Sequence, residues 1–247
     1  MIEIPESHPR AKSLHVREAL VAGFQNGLVA PQGLIAHGRG EAFDYLLGEA
    51  TTPMARAAIR AAAASLLTAM HPVISVNGNA AALVPGQLVE LAASVNAKLE
   101  VNLFHRTEER ERRIRQELER NGATQVLGTG GDASAQIPEL QSERRRVDPA
   151  GIFSADVVFV PLEDGDRTEA LVKMGKTVIT VDLNPISRTA KAAQISIVDN
   201  LVRAVPELVA AVADLKKSGE SLQALLDSFD NQENLARSLQ LIRGGVG

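Results

Sequence analysis

The spacing of apolar positions changes near residue 71. Before it, apolar residues recur at helical intervals. Leu14, Val16, Leu20, Val21 and Phe24 form a stripe over residues 12–26, and Gly27 stands where a left-handed residue ends a helix. Residues 28–40 carry several glycines and predict a loop, and 41–47 predict a short helix that Gly48 ends. Thr52 suits an N-cap and Pro53 the first helical position of a long helix to about Met70.

After residue 71, short β-branched runs alternate with helical periods. The run HPVISVNGN (71–79) reads as a buried strand ending in a polar turn. Residues 85–94 are helical and 98–103 alternate like a strand. Residues 107–120 predict a helix opening on Glu108 and Glu109 and closing on Arg120, as its dipole favours. A third strand falls at 125–127. Residues 128–149 lack periodicity, carry Arg144, Arg145 and Arg146, and predict an excursion over the surface. Strands follow at 156–160, 177–181 and 194–198, with helices at 166–174 and 201–216.

Repeated βα units predict an α/β fold, a mostly parallel sheet covered by helices on both faces. Residues 1–217 read as a single α/β domain in which residues 1–70 are mainly helical. A helical tail, 218–247, carries Leu222, Leu225, Leu226, Phe229, Leu235, Leu239 and Ile242, which suit packing on the domain or on a second subunit.

Composition narrows the function. Hydrophobic residues make up 45% and aromatics 3%, so the core must be built from Ala, Val, Leu and Ile. A net charge of −4 gives a nucleic-acid partner little support. The absence of cysteine excludes a disulfide framework, a thiol nucleophile and thiolate metal sites, and a cytoplasmic location is expected. The N-terminus has no apolar signal core, and the longest mostly apolar run, 61–70, is too short to span a bilayer.

Ligands of open parallel sheets bind beyond the C-terminal strand ends, where this sequence has polar turns. Asn77-Gly78-Asn79 offers two amides around a glycine that lets a ligand approach, or else a plain turn. Glu163 and Asp164 can hold Mg²⁺ or orient an amine, whereas Asp166 with Glu169 fits a helix capping box. In Asp182-Leu183-Asn184-Pro185-Ile186-Ser187-Arg188-Thr189, an acid can accept from ribose or adenine, and Ser187, Arg188 and Thr189 suit phosphate at a helix start. Val198-Asp199-Asn200 either frames the same nucleotide, or Asp199 caps the next helix. Arg39, between Gly38 and Gly40 and beside His37 and Glu41, has room to swing onto an anion. Arg17 and His15, taken alone, are solvated charges. The chain has no GxxxxGK[ST] loop, no strand-GxGxxG-helix fingerprint, no zinc spacing and no G-x-S-x-G elbow.

Several long blocks in order carry a family resemblance. SHPRAKSLHVRE, GLVAPQGLIAHGRGEAFDYLLGE, HPVISVNGNAAALVP, AKLEVNLFHRTEER, SADVVFVPLEDGDRTEALVKMGKTVITVDLNPISRTA and SIVDNLVRAVPEL span about residues 7–208. They resemble the archaeal phosphopantothenate synthetases, or 4-phosphopantoate–β-alanine ligases. The resemblance is weaker over 128–150 and leaves the tail's role open. It implies a Rossmann-like fold, a homodimer and a step of coenzyme A biosynthesis. The implied reaction joins 4-phosphopantoate to β-alanine through an acyl-adenylate, converting ATP to AMP and pyrophosphate with Mg²⁺. By the same resemblance ATP is held at Arg17, Arg39, Asp182, Leu183, Asn184, Arg188, Thr189, Asn200 and Leu201. His37, Asn77, Asn79, Glu163 and Asp164 stand as substrate or catalytic candidates. The competing readings are another ATP-dependent acid–amine ligase on this fold and a nucleotide sensor without turnover.

Overall fold

Most of the short strand runs after residue 71 are nearly all apolar, so they must be covered on both sides. In a computed structural model of the chain, which describes residues 4–8, 10–162 and 165–244, they pair into one six-stranded parallel sheet. Three helices come first: α1 (Ala11–Gln25), α2 (Pro31–Leu46) and α3 (Pro53–Thr68). The chain then runs β1 (Pro72–Val76), α4 (Gly78–Leu83), α5 (Pro85–Val95), β2 (Lys98–Val101), α6 (Glu108–Arg120) and β3 (Val126–Leu127). A small hairpin of β4 (Ala135–Gln136) and β5 (Arg146–Val147) leads to β6 (Val157–Pro161), α7 (Gly165–Lys173), β7 (Thr177–Val181), α8 (Arg188–Ala192) and β8 (Ile195–Ile197). Helices α9 (Leu201–Ser218), α10 (Leu222–Ser228) and α11 (Asn231–Gly244) complete it.

The strand order is β3-β2-β1-β6-β7-β8, and each pairing is parallel. The chain builds the sheet outward from β1 to β3, then returns to the centre and builds outward from β6 to β8. The reversal between β1 and β6 is the switch point of a doubly wound Rossmann-like sheet, where a crevice opens above the strand ends. One face packs against α3, α5, α6 and α9. Helix α3 lies close because Ala55, Ala58, Ala62, Ala63 and Ala64 present only methyl groups. The Thr52 side chain caps it, accepting from Ala55 N at 3.1 Å.

The excursion over the surface predicted for 128–149 is corrected. Ile137, Leu140, Val147 and Ile152 are buried and join Val158, Val160, Leu171 and Val178 in the core of the other face. This segment occupies space that a crossover helix would otherwise fill. Buried Glu100 on β2 pins it by accepting from Asp148 N at 2.9 Å and Ile152 N at 2.5 Å. The tail packs on α3, α8 and β8. Asn231 accepts from Ser196 N at 2.9 Å and Asn234 donates to Ser196 O at 3.1 Å, so α11 covers the open edge of β8.

The predicted loop at 28–40 is also corrected. Pro31 occupies the first turn of a helix that runs unbroken through Gly33, Gly38 and Gly40 to Leu46. Glycines disfavour a helix, but tertiary contacts hold this one. Arg17 on α1 donates to Glu41 at 3.0 Å and 2.8 Å, Arg203 on α9 grips Asp44, and Asn79 donates to Gly33 O at 2.9 Å.

Candidate active site

A cavity of about 760 Å³ lies over the switch point. Its walls come from α2 above, from the ends of β1 and β2 on one side, and from the segments after β7 and β8 on the other. Among the predicted residues, Arg39, His37, Asn77, Asn79, Asp182, Leu183, Asn184, Arg188, Thr189, Asn200 and Leu201 line it together. Arg17 does not. It forms a bidentate pair with Glu41 and joins α1 to α2. Glu163 and Asp164 lie outside the described residues.

The segment after β7 is built by local hydrogen bonds. Asp182 accepts from Asn184 N at 2.9 Å and from Ser187 Oγ at 2.5 Å. Ser187 in turn caps α8, accepting from Ala190 N at 2.9 Å. Burial pushes the Asp182 carboxyl up, while the hydrogen bonds and the charge of Arg39 oppose the shift. Arg39 thus acts on Asp182 from the facing helix. Arg188, exposed, pairs with Asp166 at 2.5 Å and Glu169 at 3.3 Å. The capping box predicted for Asp166 is corrected: α7 already begins at Gly165, and Asp166 uses its carboxylate on Arg188. Exposed pairs of this kind are weak, so an incoming phosphate can take over the guanidinium.

After β8, Asn200 caps α9, its side-chain oxygen accepting from Val202 N at 3.3 Å. Asp199 is buried beneath it and accepts from Thr51 Oγ1 at 2.7 Å and Arg203 Nη2 at 2.6 Å. Asp199 neither caps the helix nor lines the cavity, the two roles its position suggested; it anchors Arg203.

At the end of β1 the Asn77-Gly78-Asn79 turn is the start of α4. Asn77 accepts from Ala80 N at 3.0 Å and donates to Pro161 O at 2.7 Å, stitching the two strands that flank the switch point. Beside it, Leu162 adopts φ of +54°, a left-handed backbone rare for a bulky residue and found where a site stores strain. His37 Nε2 is buried with no hydrogen-bond partner among the described residues, and burial lowers the pKa of this imidazole, favouring its neutral form. Among the described residues no group of three or more His, Asp or Glu is placed to hold a metal ion. The far wall contains residues that periodicity did not single out for the site: Phe104, His105, Arg110 and Arg144.

Residues 54–245 match the family described as phosphopantothenate/pantothenate synthetase. The chain belongs to this family. It is 55% identical over 245 residues to the 4-phosphopantoate–β-alanine ligase of Thermococcus kodakarensis, covering 98% of this chain and 93% of that protein. It is 53% identical over 244 residues to the enzyme of the same name from Methanosarcina mazei, covering 98% and 95%. The protein so named from Methanospirillum hungatei is 52% identical over 212 residues, 86% of each chain. The family match extends through the tail, past the blocks that first carried the resemblance. No helix among the described residues is long and apolar enough to cross a membrane.

Proposed function

We propose that this chain condenses 4-phosphopantoate with β-alanine to 4′-phosphopantothenate, converting ATP to AMP and pyrophosphate in coenzyme A biosynthesis. Family membership supports the overall reaction. The observation that supports the route is a single cavity bordered on one side by Arg39, Asp182, Arg188 and Asn200 and on the other by Asn77, Asn79, Arg110 and Arg144. One cavity can hold a nucleotide and an acid together, with the acid's carboxylate near the α-phosphate.

A carboxylate does not react with an amine until its oxygen becomes a leaving group. In the first step a carboxylate oxygen attacks the α-phosphorus and pyrophosphate departs, leaving an acyl-adenylate. Two anions about 4 Å apart repel by roughly 4 kcal/mol at a dielectric near 20. Arg39 and Arg188 offset that repulsion and hold the groups in line. In the second step the amine of β-alanine attacks the acyl carbon, the carbon–oxygen bond to AMP breaks, and the amine loses a proton. Neutral His37 is the base in this reading, because it borders the cavity and its Nε2 has no partner among the described residues. Mg²⁺ enters as the counter-ion of ATP, which matches its preference for phosphate oxygens and water over a cage of protein ligands.

In this reading residues 1–217 carry the site. The tail supports it from behind, with Leu235 in one cluster with Leu47, Leu183 and Val198. A homodimer in the cytoplasm completes the proposal. Val21 and Phe24 on α1 and Ile35, Tyr45 and Leu46 on α2 are exposed apolar residues available to a second copy. The test of function is incubation with ATP, 4-phosphopantoate and β-alanine. Equal yields of AMP, pyrophosphate and 4′-phosphopantothenate support it. ADP in place of AMP, or AMP formed without the acid, contradicts it.

A further inference from the structure

Helix α2 is held unevenly along its length. In its second half Glu41 and Asp44 are buried and bonded to Arg17 and Arg203, and Phe43 packs against the cluster of Leu47, Leu183 and Leu235. The first half, residues 31–40, is held more lightly. Gln32, Ile35, Ala36, Gly38 and Arg39 are exposed, and Leu34 is only partly buried. The Asn79 amide ties this half to the body, donating to Gly33 O at 2.9 Å. Leu28 and Val29, just before the helix, are buried. The lightly held stretch therefore lies between two fixed ends.

Local support for a helix is weak in the same stretch. Ala30 at the N-cap offers no side-chain acceptor to the first amides, and the first turn has no acid. Gly33 is needed for close approach, since a Cβ there would stand 2.3 Å from Asn79 Oδ1. Gly38 has no such reason. A Cβ there would meet nothing within 4 Å, and its φ is not positive. Neither packing nor the helical conformation calls for glycine at 38, and alanine would make the helix stronger. The freedom of Gly38 has a use only when this stretch leaves the helix. The same stretch is also the roof of the cavity, which Gln32, Ala36, His37 and Arg39 line. The wound helix leaves His37 Nε2 buried with no partner among the described residues, and unwinding would return it to water.

We propose that residues 31–40 are a gate: the first turns of α2 unwind between Val29 and Glu41 to uncover the cavity, and rewinding returns His37 and Arg39 over the strand ends. The ion pairs of Glu41 and Asp44 keep the second half in place, so the gate opens without moving the sheet. Ligand entry and product release then wait on unwinding. The gate itself does not depend on the ligase reading, which supplies only the nucleotide used in part of the test.

The experiment measures hydrogen–deuterium exchange by mass spectrometry in the full-length chain and in Gly38→Ala, with circular dichroism as the folding check. In the free chain, amides of residues 35–40 should exchange about 100-fold or more faster than those of α3. Low urea should leave that rate unchanged, because local unwinding exposes little surface. Gly38→Ala should slow exchange there by about 2- to 5-fold and leave α3 as it was. Stopped-flow binding of a fluorescent ATP analogue gives the second readout. Association and dissociation should both slow by about the same 2- to 5-fold with Kd unchanged, because a gate sets rates and not affinity. Exchange of residues 35–40 in step with α3, exchange that Gly38→Ala does not slow, or unchanged nucleotide rates overturns the proposal. If the chain binds no nucleotide, the ligase reading fails, and the exchange result alone decides for or against the gate.

Discussion

Asn200 Nδ2 donates to Asp44 Oδ2 at 2.8 Å, joining the N-terminus of α9 to α2 across 156 residues of chain. Arg203 reinforces the joint, reaching Asp44 at 2.5 Å and Asp199 at 2.6 Å. Helix α2 carries Arg39 and His37, so this network sets their height above Asp182. Asp44→Ala leaves the Asn200 and Arg203 donors facing an empty site. It should cost about 3 kcal/mol of stability, as expected for breaking a buried pair. KM for ATP should rise more than KM for the acid. Urea unfolding and steady-state kinetics check both, and an unchanged KM for ATP contradicts the role given to α2.

The glycines around Arg39 offer a test of the helix itself. A Cβ at Gly38 would meet nothing within 4 Å, and one at Gly40 would meet only Leu183 Cδ1 at 3.6 Å. In a helix, Gly38→Ala should therefore stabilise by about 0.5–1 kcal/mol. In the flexible loop that the glycines predict from sequence it would not. A raised thermal midpoint is the expected outcome, and a lowered one argues that this segment must leave the helix.

His37 should act in the amine step alone. His37→Gln is expected to retain pyrophosphate release from ATP and 4-phosphopantoate while slowing 4′-phosphopantothenate formation by about 10²-fold or more. Because burial lowers this imidazole's pKa, the acid limb of kcat should fall at a pH below the ordinary histidine range. Loss of pyrophosphate release together with product would remove His37 from the role of base.

Glu100 makes stability depend on pH. Burial raises its carboxyl from 4.5 to about 7, although the amides of Ile152 and Asp148 and the charge of Arg167 pull the other way. The folded protein therefore holds a proton that the unfolded chain releases between those values. The contribution is whole below pH 4.5 and is lost as pH rises to about 7. Unfolding free energy should fall by about 3 kcal/mol across that window and level off above it. Denaturant titrations from about pH 5 to 8 should show the slope, and Glu100→Gln should flatten it. The same slope in the variant would assign it elsewhere.

Legibility in the sequence followed the range of the forces involved. The strand Thr177–Val181 reads directly because its five residues are all β-branched and suit a strand covered on both faces. Helix α3 reads from Thr52 and Pro53 because capping is local. Helix α2 is hidden because its glycines favour other conformations and its supports, Arg17, Asn79 and Arg203, come from distant segments. Arg144 is hidden for a related reason. Its place in the cavity depends on an Asn102 amide 42 residues earlier, and the two-residue strands around it have no period to detect. Asp182 to Thr189 and Asn200, proposed for the nucleotide, were legible as polar turns after strands, and the family resemblance over long blocks then named them together.

The central claim, that the acid's carboxylate is activated by adenylation within this cavity, is tested most directly by isotope transfer. 4-Phosphopantoate labelled with ¹⁸O in its carboxylate is turned over with ATP and β-alanine, and the nucleotide product is examined by mass spectrometry. Attack on the α-phosphorus predicts AMP carrying one ¹⁸O atom from the carboxylate. Unlabelled AMP, or label found in inorganic phosphate beside ADP, would contradict the account.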